Sequence, residues 1–507
     1  MRRYRSRLRG KSKSFPPINK MTTPPTNEKS LSFRTKLCYG IGNISIMMGK
    51  LAPRELALPI YNVLLGVSPT AMGLVLALGR FIDAFTDPLT GNVSDRTKSR
   101  WGRRRPFIFL GVIFVALFFT TLWWFPRGLS PHAYLLYFIF IAFLYYVSLS
   151  AFSVPWYALG YELAPDYDNR TKLMAFAGFL GPIGQMIVCW LYRLTQMDCF
   201  KNDNVYRLTH LEIFQGDATT TGLRVVTIFA GILIAIFGVT TAVFVRERNA
   251  EAAQKSSKPR PSFFAGAKAA FQSQAFVRLT VAFMLIQLGI QMVGVLGFYN
   301  FVYYLNDGDK KAGSFLYACH NTVWLVSNMV FTPIIARLTA RFGKKEMFLA
   351  AIGWGILRMG IMWFLMDPAH PWGMLINGAL MGVDNAAIFM LCHAMIADIC
   401  DVDERDSGHR REGLYGSLYS WAFKVGIALA SLLSGYILDF IHFDRSLGGA
   451  QTKHTLFLMK LSYCAVPAMF SLVALAVFIR YPISRRYAQE VRAELDARKL
   501  VASAGQK

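Results

Sequence analysis

Long apolar runs separated by short polar segments dominate this chain. Twelve runs stand out, over about 37–65, 70–92, 107–126, 132–162, 172–196, 222–246, 277–305, 312–338, 347–366, 371–401, 413–440 and 455–480. Each is close to or above the roughly 20 residues that an α-helix needs to cross the hydrocarbon core of a bilayer. The pattern predicts an all-α membrane protein of twelve transmembrane helices. An even number of spans returns both termini to one side.

The polar segments fall into two kinds. Those at 93–106, 163–171, 247–276, 337–346 and 402–412 hold most of the Lys and Arg. The alternate set is poor in them: Val67-Ser68-Pro69, Arg127-Gly128, the 197–221 loop, Asp307 to Lys311 and Asp367-Pro368. The positive-inside rule then predicts cytoplasmic basic loops and two cytoplasmic termini, in a plasma (inner) membrane protein. This alternation changes the meaning of the charge balance. The 507 residues carry a net charge of +25, but its placement is that of topogenic loops, so no nucleic-acid partner is expected. The basic start, Met1 to Arg9, runs into polar Pro/Thr sequence without an apolar core, so no cleavable signal peptide is expected. Six of the seven cysteines, all but Cys199, lie inside apolar runs, and none has metal-ligating spacing. No nucleophile elbow, P-loop, zinc motif or dinucleotide fingerprint occurs, so neither an enzyme nor a cofactor is expected.

Residues 1–35 read as a disordered cytoplasmic tail and 36–246 as a six-helix half. The 247–276 linker opens polar and becomes amphipathic from Phe263 to Val277, as a surface-lying helix would. A second six-helix half covers 277–481, and a charged, helix-prone tail covers 482–507. An internal repeat supports the halves. Arg96-Thr-Lys-Ser-Arg100-Trp101-Gly102-Arg103-Arg104-Arg105 aligns without gaps on Arg337-Leu-Thr-Ala-Arg341-Phe342-Gly343-Lys344-Lys345-Glu346. Two similar halves around a central cavity are the parallel-repeat plan of major facilitator transporters. Asp95, Arg96, Gly102, Arg103, Arg104, Arg341 and Gly343 are expected to form a conformational gate that clasps neighbouring helix ends.

Candidate chemistry concentrates in the second span. Asp83 and Asp87 lie one helical turn apart, on one face, with Thr86 beside them. A charge in the hydrocarbon region costs roughly 2.5–3.5 kcal/mol on insertion scales and usually marks an ion or substrate path. Carboxylate and hydroxyl oxygens suit a hard monovalent cation, or a carboxylate can take a proton. Two adjacent negative charges also need a positive neighbour. Lys424, the only charge in 413–438, is the candidate partner for either acid. The first span holds Lys50, Pro53, Arg54 and Glu55. These charges either cancel locally beside a proline kink or face the cavity. The tenth span carries Asp384, Asn385 and His393, with His393 expected to pack. The fourth and seventh spans add Ser150, Ser153, Trp156, Tyr157, Gln287 and Gln291. Aromatic faces beside hydrogen-bonding side chains suit a sugar.

These residues also carry a resemblance. Arg80-x-x-Asp83-x-x-x-Asp87-Pro88, then Ser94-Asp95-Arg96 through the Gly102-Arg103-Arg104-Arg105-Pro106 loop, resembles the glycoside–pentoside–hexuronide:cation symporters, of which melibiose permease is the best-known member. Further matches are Lys36-Leu-Cys-Tyr39-Gly40-x-Gly42 and Ala397-Asp398-Ile399-Cys-Asp401 through Arg410-Arg411-Glu412-Gly413 to Lys424. The resemblance implies a major facilitator fold that alternates between inward- and outward-open states. It implies that sodium, lithium or a proton travels with a sugar or glycoside. The carrier is expected to work as a monomer. By position it places a cation shell at Asp83, Thr86, Asp87 and Ser150. Arg80 and Lys424 match charged residues that line the cavity in galactoside members. Lys50, Ser153, Trp156, Tyr157, Gln291, Asp384 and Phe389 are expected to line the same substrate cavity. Two departures stand out: galactoside members carry acids where this chain has Met47 and Ser153. The coupling side is retained and the galactoside grip is not. The family also resembles lysolipid carriers, which leaves a lysolipid or other amphiphile as the alternative substrate.

Overall fold

The first two helices start on hydroxyl caps. Ser32 accepts the Thr35 amide at 3.2 Å to open α1 (Phe33–Ala57). Ser68 accepts the Ala71 amide at 3.4 Å to open α2 (Pro69–Arg96), where Pro69 takes the first helical position that needs no N–H. The computed structural model describes residues 31–97, 99–163, 167–200, 205, 218–245, 270–408, 412–444 and 447–504. The chain continues through α3 (Arg105–Leu122), α4 (Pro131–Leu163), α5 (Tyr167–Thr195) and α6 (Ala218–Phe244). The second half holds α7 (Gln274–Tyr299), α8 (Lys310–Phe342), α9 (Lys344–Leu365), α10 (Met374–Ser407), α11 (Glu412–Phe440) and α12 (Lys453–Phe478). A last helix, α13 (Arg485–Ala504), occupies the expected helix-prone tail. The amino-terminal tail, most of the 247–276 linker and most of the 197–221 loop lie outside the described residues.

Ten of these helices, α3 to α12, are long and apolar enough to cross a membrane. The other two, α1 and α2, are the ones whose charges set them apart in the sequence. Together they make the twelve-helix, two-half membrane fold. The first helix of each half ends in the same irregularity. α1 runs into a π-helical turn over Leu58–Leu64, and α7 into one over Asn300–Tyr304. Such wider turns often occur at functional sites. The loops of the repeat match as well. Gly102 and Gly343 take φ of +104° and +101°, a region that favours glycine.

Helices α2 and α11 bind the halves together. A Cβ on Gly73 would lie 2.5 Å from the Ser431 carbonyl oxygen, and one on Gly435 would lie 2.4 Å from that of Pro69. Backbones this close need small residues, the usual device between helices in lipid. Polar contacts between the halves gather toward the same end, opposite the Arg-rich loop. The Tyr299 hydroxyl donates to Asn62 Oδ1 at 2.8 Å, and Trp190 Nε1 donates to Thr322 at 3.0 Å. Thr70 pairs with Asp439, and Lys311 with Asp198. Among the described residues, the inter-half polar contact nearest the basic end is Lys424–Asp87. The halves are therefore closed together at the end away from the basic loops.

Candidate functional site

The helical spacing of α2 puts Arg80, Asp83 and Asp87 in line, and α1, α4 and α11 supply their partners. Asp87 Oδ2 accepts from Lys424 Nζ at 2.5 Å, and its Oδ1 accepts from the Ser150 hydroxyl at 2.7 Å. Ser150 Oγ lies 2.8 Å from Thr86 Oγ1, which also donates to the Ile82 carbonyl at 3.0 Å. One carboxylate, two hydroxyls and one ammonium thus meet between the halves. Asp83 has a different environment. Its carboxylate pairs with Arg80 at 3.1 Å, and Arg80 also donates to the Lys50 carbonyl at 3.0 Å. The Asp87 and Lys424 side chains keep 32% and 24% exposure, whereas Asp83 and Arg80 keep 9% and 11%. An entering ion can therefore reach Asp87 more readily than Asp83. Lys50 donates to the Tyr157 hydroxyl at 3.3 Å and lies 5.0 Å from the centre of its ring.

A second polar group sits further toward the closed end. Arg54 pairs with Glu55 at 2.9 Å and reaches Gln291 Oε1 across the half boundary at 2.5 Å. The Tyr317 hydroxyl donates to Glu55 Oε2 at 3.1 Å, or to the Gly294 carbonyl at 2.9 Å. Gln185, His320, Asn321 and Trp324 also line this pocket. Among the described residues, buried Arg54 Nε and Trp324 Nε1 have no hydrogen-bond partner, so donors are left over.

At the basic end, the two repeated loops make the same kind of contact. Arg103 pairs with Glu162 at the end of α4, and Arg104 pairs with Glu162 at 2.9 Å and Asp95 at 3.1 Å. In the second half Lys344, aligned with Arg103, pairs with Asp398 of α10 at 2.6 Å. Arg105 donates to the Ala242 and Val243 carbonyls at 2.6 and 2.8 Å. The Arg341 carbonyl accepts from Arg485 at 2.7 Å, and Arg96 is exposed. The cations at the start of α3 and α9 thus tie down the next helix of their own half.

The description MFS/sugar transport protein matches residues 38–485. The chain belongs to that family. It is 25% identical to a glucuronide carrier protein homolog of Escherichia coli, over 93% of this chain and 97% of that protein. It is 26% identical to a mouse sodium-dependent lysophosphatidylcholine symporter, over 93% and 90%. Among solved structures, a bacterial homolog of the human lysosomal transporter Spinster, inward-facing and unoccupied, gives a TM-score of 0.63 at 15% identity, covering 90% of this chain and all of that one. A D-xylose–proton symporter gives 0.58 at 15% identity, covering 89% and 97%. These likenesses show the major facilitator fold. The chain is a multi-pass membrane transporter and not an enzyme.

Within this family member, several expected cavity residues sit elsewhere. Trp156 is 1% exposed and stacks on Tyr39 of α1, ring centres 4.2 Å apart. Burial of both ring faces gains more than a cavity position would, so Trp156 packs helices rather than lining the cavity. Asp384 is also withdrawn. It pairs with Arg358 of α9 at 3.3 Å, and Arg358 donates to Asn377 at 3.2 Å. A carboxylate buried this deeply needs a countercharge, and Arg358 provides it inside the same half. The lone arginine in the ninth run was the available signal, and the sequence reading passed it over. Ser153 is buried at 5% exposure, and Phe389 packs edge-on to Phe283 and Phe423. His393, expected to pack, is exposed and lies 2.8 Å from the Phe389 carbonyl of its own helix. Tyr317, Glu162 and the donors of α8 were not singled out either, because a tyrosine or a helix-end glutamate carries no distinguishing spacing.

Proposed function

We propose that this transporter couples the movement of a monovalent cation to that of a sugar or glycoside by alternating access. The single observation behind this reading is the convergence of Asp87, Thr86, Ser150 and Lys424. Three side-chain oxygen groups gather where a lysine ammonium neutralises the carboxylate. A sodium ion or a proton would take over that neutralising role. Lys424 would then be released toward the cavity, where its donors could serve the substrate. Asp83, held by Arg80 in a drier site, would keep the face of α2 charged and ordered. The substrate would lie between this cluster and the Arg54–Gln291 group, with Lys50 and Tyr157 between them. The name of the glucuronide carrier homolog supports a carbohydrate.

A second reading has an observation of its own. An apolar groove between α2 and α4 is lined by Leu78, Phe81, Phe85, Phe140 and Phe143 and reaches Thr86 of the proposed ion site. A groove of that kind would suit the chain of an amphiphile, and the mouse relative is named for a lysolipid. Uptake into liposomes containing the purified protein separates the two. Labelled neutral and acidic sugars, and a labelled lysolipid, are offered with and without a sodium gradient. Sodium-stimulated entry of a sugar supports the first reading, and entry of the lysolipid alone supports the second. Orientation belongs to the same proposal, with the basic loops and both termini cytoplasmic in a plasma (inner) membrane. A reporter fused after Lys507 should then behave as cytoplasmic and one inserted at Asn202 as external. Swapped signals would reverse the assignment.

A further inference from the structure

A cavity of about 400 Å³ lies at the basic end of the second half, away from the ion cluster. It is walled by the end of α8, the start of α9, the middle of α10 and the start of α13. Four cations line it: Lys344, Lys345, Arg485 and Arg492. Asp398, which lines it, is paired with Lys344, and the Glu346 carboxylate lies against Gly343. Lys345 and Arg485 are held by backbone carbonyls. Lys345 Nζ donates to the Tyr481 carbonyl at 2.7 Å, and Arg485 Nη1 donates to that of Arg341 at 2.7 Å. Arg492 makes no hydrogen bond among the described residues. Tyr481, whose carbonyl holds Lys345, also lines the cavity.

We propose that this cavity is a binding site for a phosphate group, held by Lys345, Arg485 and Arg492. A phosphate offers several strong acceptor oxygens on one centre, which the planar fork of arginine matches in pairs. The cavity is large enough for such a group and too positive for a neutral one. Its position at the helix ends puts it level with lipid headgroups, and it is also open to soluble phosphates. The same cavity touches the Lys344–Asp398 pair. Occupancy would draw on Lys344 and so bear on the contact between α9 and α10.

The test uses the full-length protein in phosphatidylcholine nanodiscs. One arm adds phosphatidic acid to the bilayer, and the other adds inorganic phosphate to the buffer against chloride at equal ionic strength. The readouts are the thermal unfolding midpoint and, for the lipid, retention in native mass spectrometry. The midpoint of the wild type rises with at least one probe. A rise with phosphatidic acid alone assigns a lipid headgroup, and a rise with inorganic phosphate assigns a soluble phosphate. Arg485→Gln combined with Arg492→Gln removes the response. Arg492→Gln alone raises the probe concentration needed for half of the rise about tenfold or more. If the double variant does not fold, Arg492→Gln decides alone. No rise with either probe in the wild type, or an unchanged response in Arg492→Gln, overturns the proposal.

Discussion

Asp87 and Asp83 show how two identical side chains one helical turn apart acquire different work. Asp87 touches a lysine and a serine and remains a third exposed. Asp83 touches an arginine in a nearly dry site. Removing one partner of a buried pair leaves an uncompensated charge and costs about 3–5 kcal/mol, so the Arg80–Asp83 pair is costly to open. The Asp87–Lys424 pair spans the two halves, and in the proposed function an ion would replace the lysine there. Lys50 is a further cation of this region, and the only hydrogen-bond partner of its ammonium among the described residues is the Tyr157 hydroxyl. It lies one turn beyond Met47, where the galactoside symporters carry an acid. An ammonium with spare donors suits an acidic sugar. Lys50→Ala should lower uptake of a uronide or sulfated sugar about tenfold or more, as expected for loss of one charge-assisted hydrogen bond, and spare neutral sugars. Competition between the two sugar classes in liposomes measures this, and equal loss for both would count against a substrate-facing Lys50.

At the scale of helices, the repeated loops explain more than their charge. Gly102 and Gly343 hold the same left-handed conformation, and each is followed by a cation that pairs with an acid of the next helix. Gly102→Leu would put a branched side chain where φ is +104°, at a cost of about 1–3 kcal/mol. The strain falls on the turn that positions Arg103 and Arg104 against Glu162. Transport should slow several-fold while sugar affinity stays within about twofold of wild type. Turnover and equilibrium binding, measured on the same preparation, separate these effects. Unchanged turnover would remove the loop from the gate. The spans themselves were legible in the sequence, because lipid imposes length and apolarity that no other solvent does. The partners of the charges were less so. Lys424 had two acids to choose from, and only the relative rotation of α2 and α11 selects Asp87. Trp156 and Asp384 were misplaced for the same reason: position along a helix is written in the sequence, whereas the face it turns to its neighbours depends on packing. The Arg80–Asp83 pair lies within one helix, where spacing alone brings the two together.

For the whole molecule, the closed end and the proposed ion cluster would be parts of one device. Helices α2 and α11 touch along Gly73 and Gly435 at the closed end and meet again at Asp87–Lys424. Any rocking of one half against the other must move that second contact. An ion that replaces Lys424 on Asp87 therefore acts on the equilibrium between states as well as on the local charge. If the ion also frees donors for the sugar, each ligand strengthens binding of the other by the same factor. With sodium as the coupling ion, sugar affinity should rise with sodium concentration. It should weaken as pH falls at fixed sodium, because protons compete with sodium for the same site. With a proton as the coupling ion, sugar affinity should instead rise as pH falls and ignore sodium. Asp87→Asn keeps the shape and removes the charge, so it should flatten either dependence. Loss of a charged ligand should weaken ion binding on the order of a hundredfold, near 3 kcal/mol. Sugar binding and exchange should persist, since Asp87 is placed at the ion and not at the sugar. The measurement is a grid of sugar affinities across sodium concentration and pH for both proteins. A wild type whose affinity is flat in both directions would be a uniporter. The Asp87–Lys424 pair would then be a static strut between the halves.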